Sequence, residues 1–272
     1  MLEVARAAGV SVIDTAASYG TSESVIGELV GDDPEWSVVT KVSGSLGDEV
    51  DASPAIAAQL AQGALDSLDR SLLRLRRPRI AVLLLHRASH RRAAGGRIWR
   101  ALREQRELGR IGALGISAAD PSEAMEAIDD PEVEAIQVAA SLADQRLLRA
   151  GFFEKARDRR MSVFIRSSLL QGALLLPPER LPLHLKALTP LLAALTAQAR
   201  ALAVDPKCLL LAHVRHRRTA VVVGCETEAQ LVANLDAWGV AGELPDPGSG
   251  FSDLAASLDR SILEPGRWPS PA

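Results

Sequence analysis

Lysine is scarce in these 272 residues and tyrosine nearly missing: Lys41, Lys155, Lys186 and Lys207 stand among 31 basic residues, and Tyr19 is the single tyrosine. Cysteine is limited to Cys208 and Cys225, which have neither the density of a disulfide framework nor metal-ligand spacing. They read as packed thiols in a reducing compartment. No apolar run approaches about 18 residues, the length a membrane helix needs. The opening MLEVARAAGVSVID lacks the basic segment and apolar stretch of a secretory leader. A cytoplasmic location is the expectation. Excess positive charge is missing as well, since the formal net charge is -3 and the pI about 6.0. Such a chain has no global field with which to grip phosphate backbones, so neither nucleic acid nor membrane is expected as a partner.

What is present is an ordinary globular composition, 47% hydrophobic and 24% charged. Short β-branched runs alternate with longer segments of helical period, the pattern of βα units around a parallel sheet. The runs are SVIDTA (11–16), SVVTKV (37–42), IAVLLLH (80–86), IGALGIS (111–117), AIQVAA (135–140), SVFIRSS (162–168) and AVVVGC (220–225). Between two of them, residues 55–75 repeat apolar side chains every three or four positions, as a covering helix does. Asp120, followed by Pro121 and Ser122, and Thr227 stand where helix caps belong. Length and pattern together predict one α/β domain of the (β/α)8 TIM-barrel type over residues 1–272, with seven of eight strands visible. The remaining strand is expected upstream of Met1. Residues 174–203 read as a proline-marked loop feeding a long helix, and the tail from Gly242 as peripheral.

Three of the predicted strands end on residues suited to chemistry: Asp14, Lys41 and His86, with Tyr19 five positions after the aspartate. Barrel active sites are built at the C-terminal rim of the strands. Each residue alone has an ordinary explanation: a turn-capping Asp, a Lys snorkelling to solvent, a structural His. Together they form one apparatus. A phenol with a pKa near 10 donates poorly at neutral pH, and an adjacent ammonium favours the phenolate and lowers that pKa. Asp14 would hold Lys41 charged, while His86 would donate to a substrate oxygen. The set suits hydride transfer to a carbonyl with proton delivery to the developing alkoxide.

These residues lie in motifs that resemble the aldo-keto reductases. Asp14-Thr15-Ala16-Ala17-Ser18-Tyr19-Gly20 is similar to the family's D-T-A-x-x-Y-G element, and Ser22-Glu23 and Ile26-Gly27 match the helix after it. Thr40-Lys41 and Leu83-Leu84-Leu85-His86 match two further strand motifs in the right order. The resemblance implies an NADP(H) or NAD(H) cofactor lying across the barrel mouth. Its carboxamide would be held by Ser117 and Gln137. The rest would lie along Arg166, Ser167, Leu169 and Gly172, and along the junction from Gly224 to Asn234 that includes Thr227 and Gln230. A helix N-terminus is a sound anion site on physical grounds. The implied substrate is a small-molecule aldehyde, ketone or sugar carbonyl. DQRLL (144–148) and IRSSLLQG (165–172) resemble a bacterial branch linked to sugar or polysaccharide metabolism.

Three positions depart from the family pattern. Ala118 stands in place of an asparagine, Arg166 in place of an aromatic that stacks on the nicotinamide, and Gln230 in place of an arginine that binds a 2′-phosphate. Gln230 leaves the choice between the two dinucleotides open, and so is the oligomeric state. A second reading keeps the barrel as a nucleotide-binding, partner-regulating protein, as in the potassium-channel beta subunits. A third, Schiff-base chemistry at Lys41, is disfavoured because Asp14 would keep the amine protonated.

Overall fold

The computed structural model describes residues 1–43, 46–47 and 52–269. Seven strands, β1 (Val12–Asp14), β2 (Ser37–Val42), β3 (Ile80–Leu85), β4 (Ile111–Ser117), β5 (Ala135–Ala139), β6 (Ser162–Arg166) and β7 (Ala220–Val221), follow one another in the sheet in chain order. Every recorded pairing is parallel. Strands β2 and β4 coincide with the predicted runs. β1 and β7 are shorter than predicted, and each has a recorded ladder with one neighbour only. With fewer ladder bonds to hold them, the ends of such runs leave the sheet. From Val38 to Val42 every residue of β2 is buried, as both faces of a parallel strand should be.

The connecting helices are α1 (Leu2–Ala7), α2 (Ser22–Leu29), α3 (Pro54–Leu75), α4 (Arg97–Glu107), α5 (Pro121–Ile128), α6 (Arg146–Arg149), α7 (Phe152–Asp158), α8 (Thr189–Ala201), α9 (Pro206–Arg215) and α10 (Glu228–Ala241). Two short ones, α11 (Ser252–Ala256) and α12 (Arg260–Leu263), follow. The caps act as the sequence predicts. The Asp120 carboxylate accepts from the N–H groups of Ser122 and Glu123, and the Thr227 hydroxyl accepts from the Gln230 N–H. Along α3 the buried residues Ala57, Ala64, Leu68, Leu72 and Leu75 fall on one face. Glycine is required at two close approaches. A Cβ on Gly27 of α2 would lie 2.0 Å from the Arg74 carbonyl oxygen, and one on Gly115 of β4 would lie 1.8 Å from that of Ala135.

The chain divides into two compact units, one of residues 9–138 and 158–163, the other of residues 1–8, 139–157 and 164–272. The first contains β1 to β4 with α2 to α5 around Val38, Val39, Leu83, Leu84, Leu114 and Ile136, all nearly inaccessible to solvent. In the second, leucines of the 170–195 region and α9 form a core with Phe251, Ile262 and Leu263. The tail expected to be peripheral thus places Phe251, Ile262 and Leu263, scattered among Pro and Gly in the sequence, in this core. Polar bonds fasten it too. Arg146 binds Asp144 through Nε at 2.8 Å and reaches Glu264 at 3.0 Å. Buried His213 on α9 meets Asp246 through Nδ1 at 2.8 Å, and Arg217 pairs with the same carboxylate. Burial, with Arg217 and His216 nearby, pushes the His213 pKa down to about 3. Among the described residues no single helix is long and apolar enough to cross a membrane.

Candidate active site

The first unit gathers the predicted catalytic residues at the C-terminal ends of its strands. Asp14 ends β1, Lys41 is the penultimate residue of β2, His86 follows β3 and Ser117 ends β4. Register aligns Lys41 with Leu84, two residues before His86, and Ser117 with Gln137 of β5. Lys41 is 1% exposed. Its ammonium donates to both Asp14 oxygens at 2.9 and 2.8 Å and to the Thr15 carbonyl at 2.9 Å. Three acceptors thus match the three protons of an ammonium, which is what a buried cation requires. Tyr19 is half exposed, and its ring centroid lies 5.3 Å from Lys41 Nζ. The His86 ring stands edge-on to it at 6.2 Å.

Local bonds fix the Tyr19 loop between β1 and α2. The Ala17 N–H donates to the Lys41 carbonyl at 3.1 Å and the Tyr19 N–H to that of Ala16 at 3.0 Å. Gly20 supplies the positive φ of 55° that the turn needs. At the base of the loop the hydroxyls of Thr15 and Ser22 meet at 2.8 Å. One residue further on, buried Glu23 accepts from the Thr40 hydroxyl at 2.8 Å, tying α2 to the strand that carries Lys41. Ser18 Oγ lies 3.3 Å from His86 Nδ1. These supporting contacts join residues too far apart for the sequence to pair, although Ser22-Glu23 stands in a family motif.

Gln137 makes the least expected contact. Its side-chain Nε2 donates to Asp14 Oδ1 at 2.7 Å, so one carboxylate receives Lys41 and Gln137 together. Gln137 is 2% exposed and Ser117 9%, so two polar groups aligned by register are buried at neighbouring strand ends. An amide and a hydroxyl so placed fit a ligand carboxamide, which both donates and accepts.

The other predicted cofactor residues lie in the second unit. Arg166 ends β6 and its NH1 donates to Ser167 Oγ at 3.3 Å. Beyond it Ser167, Leu170, Gln171 and Gly172 all have positive φ, between 47° and 84°. For the three non-glycine residues this is a conformation seldom adopted without a local reason, and such backbone concentrates at ligand-binding loops. Leu169 lies in this loop; its carbonyl accepts from the Gly172 N–H at 2.9 Å. Gly224 lies in the stretch after β7, Thr227 caps α10, Gln230 lies in its first turn and Asn234 near its middle. There the Gln230 side chain accepts from the Glu226 N–H at 2.7 Å and the Thr227 hydroxyl from the Gln230 N–H at 3.2 Å. The position expected to read a 2′-phosphate is thus engaged in shaping its own helix start. Among the described residues no group of three or more His, Cys, Asp or Glu side chains could hold a metal ion.

A family profile described as the Aldo/keto reductase family matches residues 1–246, and the chain belongs to that family. Its members are oxidoreductases that use NADH or NADPH and act on small-molecule carbonyl compounds. Among solved structures it is similar to an aldo-keto reductase from Bacillus halodurans in its holo form, at 21% identity over 97% of this chain and 89% of that one, with a TM-score of 0.71. The apo form of that protein gives 20% identity, 97% and 88% coverage and a TM-score of 0.67. A thermostable aldo-keto reductase, Tm1743, solved with the inhibitor epalrestat, matches at 20% identity over 94% and 85% of the two chains, with a TM-score of 0.66. The parallel strands, seven of the expected eight, are those of a (β/α)8 barrel. No curated protein matches in sequence.

Proposed function

We propose that this chain reduces an aldehyde, ketone or sugar carbonyl with NADH or NADPH, and that Tyr19 supplies the proton. The observation that carries this reading is the buried Lys41 ammonium, held by Asp14 and the Thr15 carbonyl and facing the chain's one tyrosine at 5.3 Å. A cation at that distance favours phenolate over phenol and so makes Tyr19 a stronger acid. Asp14 keeps Lys41 charged and in place. His86, steadied by Ser18, orients a substrate carbonyl beside the Tyr19 hydroxyl. Tyr19 is open to solvent on one side, as a group that must meet substrate has to be. When bound, the reduced nicotinamide supplies the hydride. Ser117 and Gln137 would hold its carboxamide. Arg166, Ser167, Leu169 and Gly172, with Gly224, Thr227, Gln230 and Asn234, are the residues that the family resemblance assigns to the remainder. Since Gln230 is not an arginine, NADPH and NADH should bind with similar affinity.

The test combines cofactor titration with one substitution. Wild type should bind both reduced dinucleotides saturably. Tyr19→Phe keeps the ring and its packing, so binding should survive while turnover of a test aldehyde falls roughly 10²–10⁴-fold, the usual worth of a positioned acid. Wild-type turnover in Tyr19→Phe would remove Tyr19 from the mechanism. Failure of wild type to bind either dinucleotide would instead favour a partner-regulating barrel, consistent with Arg166 at the position usually given to an aromatic.

A further inference from the structure

Gln137 is a second donor to the carboxylate that holds Lys41, and it comes from a strand four places away in the sheet. We propose that Gln137 is a positioning residue for proton transfer, acting through Asp14 and Lys41 on the acidity of Tyr19; this rests on the reading of Tyr19 as the acid. The physical argument concerns how much of the ammonium's field survives at the phenol. An ammonium paired with a carboxylate that has no other partner forms a nearly neutral unit, and its pull on a neighbouring phenol is small. Each hydrogen bond that Asp14 accepts from elsewhere stabilises its negative charge away from Lys41.

Here Asp14 Oδ1 accepts from both Lys41, at 2.9 Å, and Gln137, at 2.7 Å, whereas Oδ2 is recorded with Lys41 alone. Gln137 is 2% exposed, so water cannot readily replace its N–H if it is removed. The charged or titratable groups recorded against this cluster are Asp14 from β1, Lys41 from β2 and His86 after β3; the last two face Tyr19. Gln137 is uncharged, and it biases the other groups without titrating.

The composition of the chain makes the idea directly measurable. With Tyr19 as its single tyrosine, the ultraviolet absorbance of phenolate during an alkaline titration reports that one residue, with or without turnover. Four proteins are compared, each checked for native circular dichroism across the range: wild type, Gln137→Met, Gln137→Glu and Lys41→Met. Lys41→Met should raise the Tyr19 midpoint by about one to two pH units. Gln137→Met should raise it by roughly half a unit, and Gln137→Glu, which sets a second carboxylate beside Asp14, by more than Gln137→Met. The acid-dependent limb of the turnover profile should move in the same order. If Gln137→Met titrates with wild type while Lys41→Met does not, the inference fails and the proposed acid stands. If Lys41→Met also titrates with wild type, Lys41 does not act on Tyr19 and both fall.

Discussion

The two compact units each bury an ion pair, and the two pairs have different neighbours. In the first, Lys41 and Asp14 stand beside a tyrosine that is half open to solvent. In the second, Arg146 joins Asp144 to Glu264, and Arg217 and His213 close on Asp246, with the partners drawn from the tail and the helices it covers. A buried pair adds little net stability over an apolar replacement, but removing one partner is costly because the other charge stays behind. What separates the two sites is the neighbour. On the proposed mechanism the field beside an accessible phenol becomes acidity, whereas among backbone carbonyls and tail residues the pair serves attachment.

That contrast can be broken by experiment, beginning with the largest effect. Lys41→Met should lower turnover at least about 100-fold and shift the pH profile of what remains, which Tyr19→Phe cannot do. A pH profile unchanged in Lys41→Met would mean that the first pair only supports structure. Arg146→Met strands Asp144, while Glu264 keeps Arg260 and Arg267, and chemical denaturation should show a loss of about 3 kcal/mol with dinucleotide affinity altered little. An equal loss of affinity would mean that the second network also serves the site.

Gly248→Ala sharpens the comparison within the tail. A Cβ there would lie 2.7 Å from the His213 ring, so a destabilisation of about 1–3 kcal/mol is expected, read from the denaturation midpoint. The last effect is in pH, and it is small at any one step of the scale. His213 has a folded pKa of about 3 against an ordinary 6.5, so the unfolded chain takes up a proton that the folded chain refuses. Its contribution is complete above about pH 6.5 and is lost as the pH falls towards 3, by at most about 1.4 kcal/mol per pH unit. His213→Gln should flatten that part of the stability curve; parallel curves would remove His213 as its source.

Local pattern revealed much of this architecture. The runs at 37–42 and 111–117 are strands from end to end, because a buried parallel strand is mostly apolar whatever its neighbours. Ser-Val-Ile-Asp-Thr-Ala and Ala-Val-Val-Val-Gly-Cys have the same local character, yet only three and two of their residues join the ladder. Pairing partners, absent from local sequence, decide that. Asp14, Lys41, Tyr19 and His86 were legible as a group because each stands at or just past a strand end. Gln137 donating to Asp14 was not, since 123 residues separate them and only register brings their ends together. The tail misled for a related reason: Phe251, Ile262 and Leu263 are too widely spaced to show a period, and their burial depends on leucines far away in the chain.

The hydroxyl contact between Thr15 and Ser22 gives the Tyr19 loop the character of a closed ring of fixed circumference. Residues inside such a ring can be exchanged while its closure holds, but an insertion or deletion forces the ring to open and carries the phenol away from Lys41. Drift in this segment of the gene should therefore proceed by replacement and seldom by change of length.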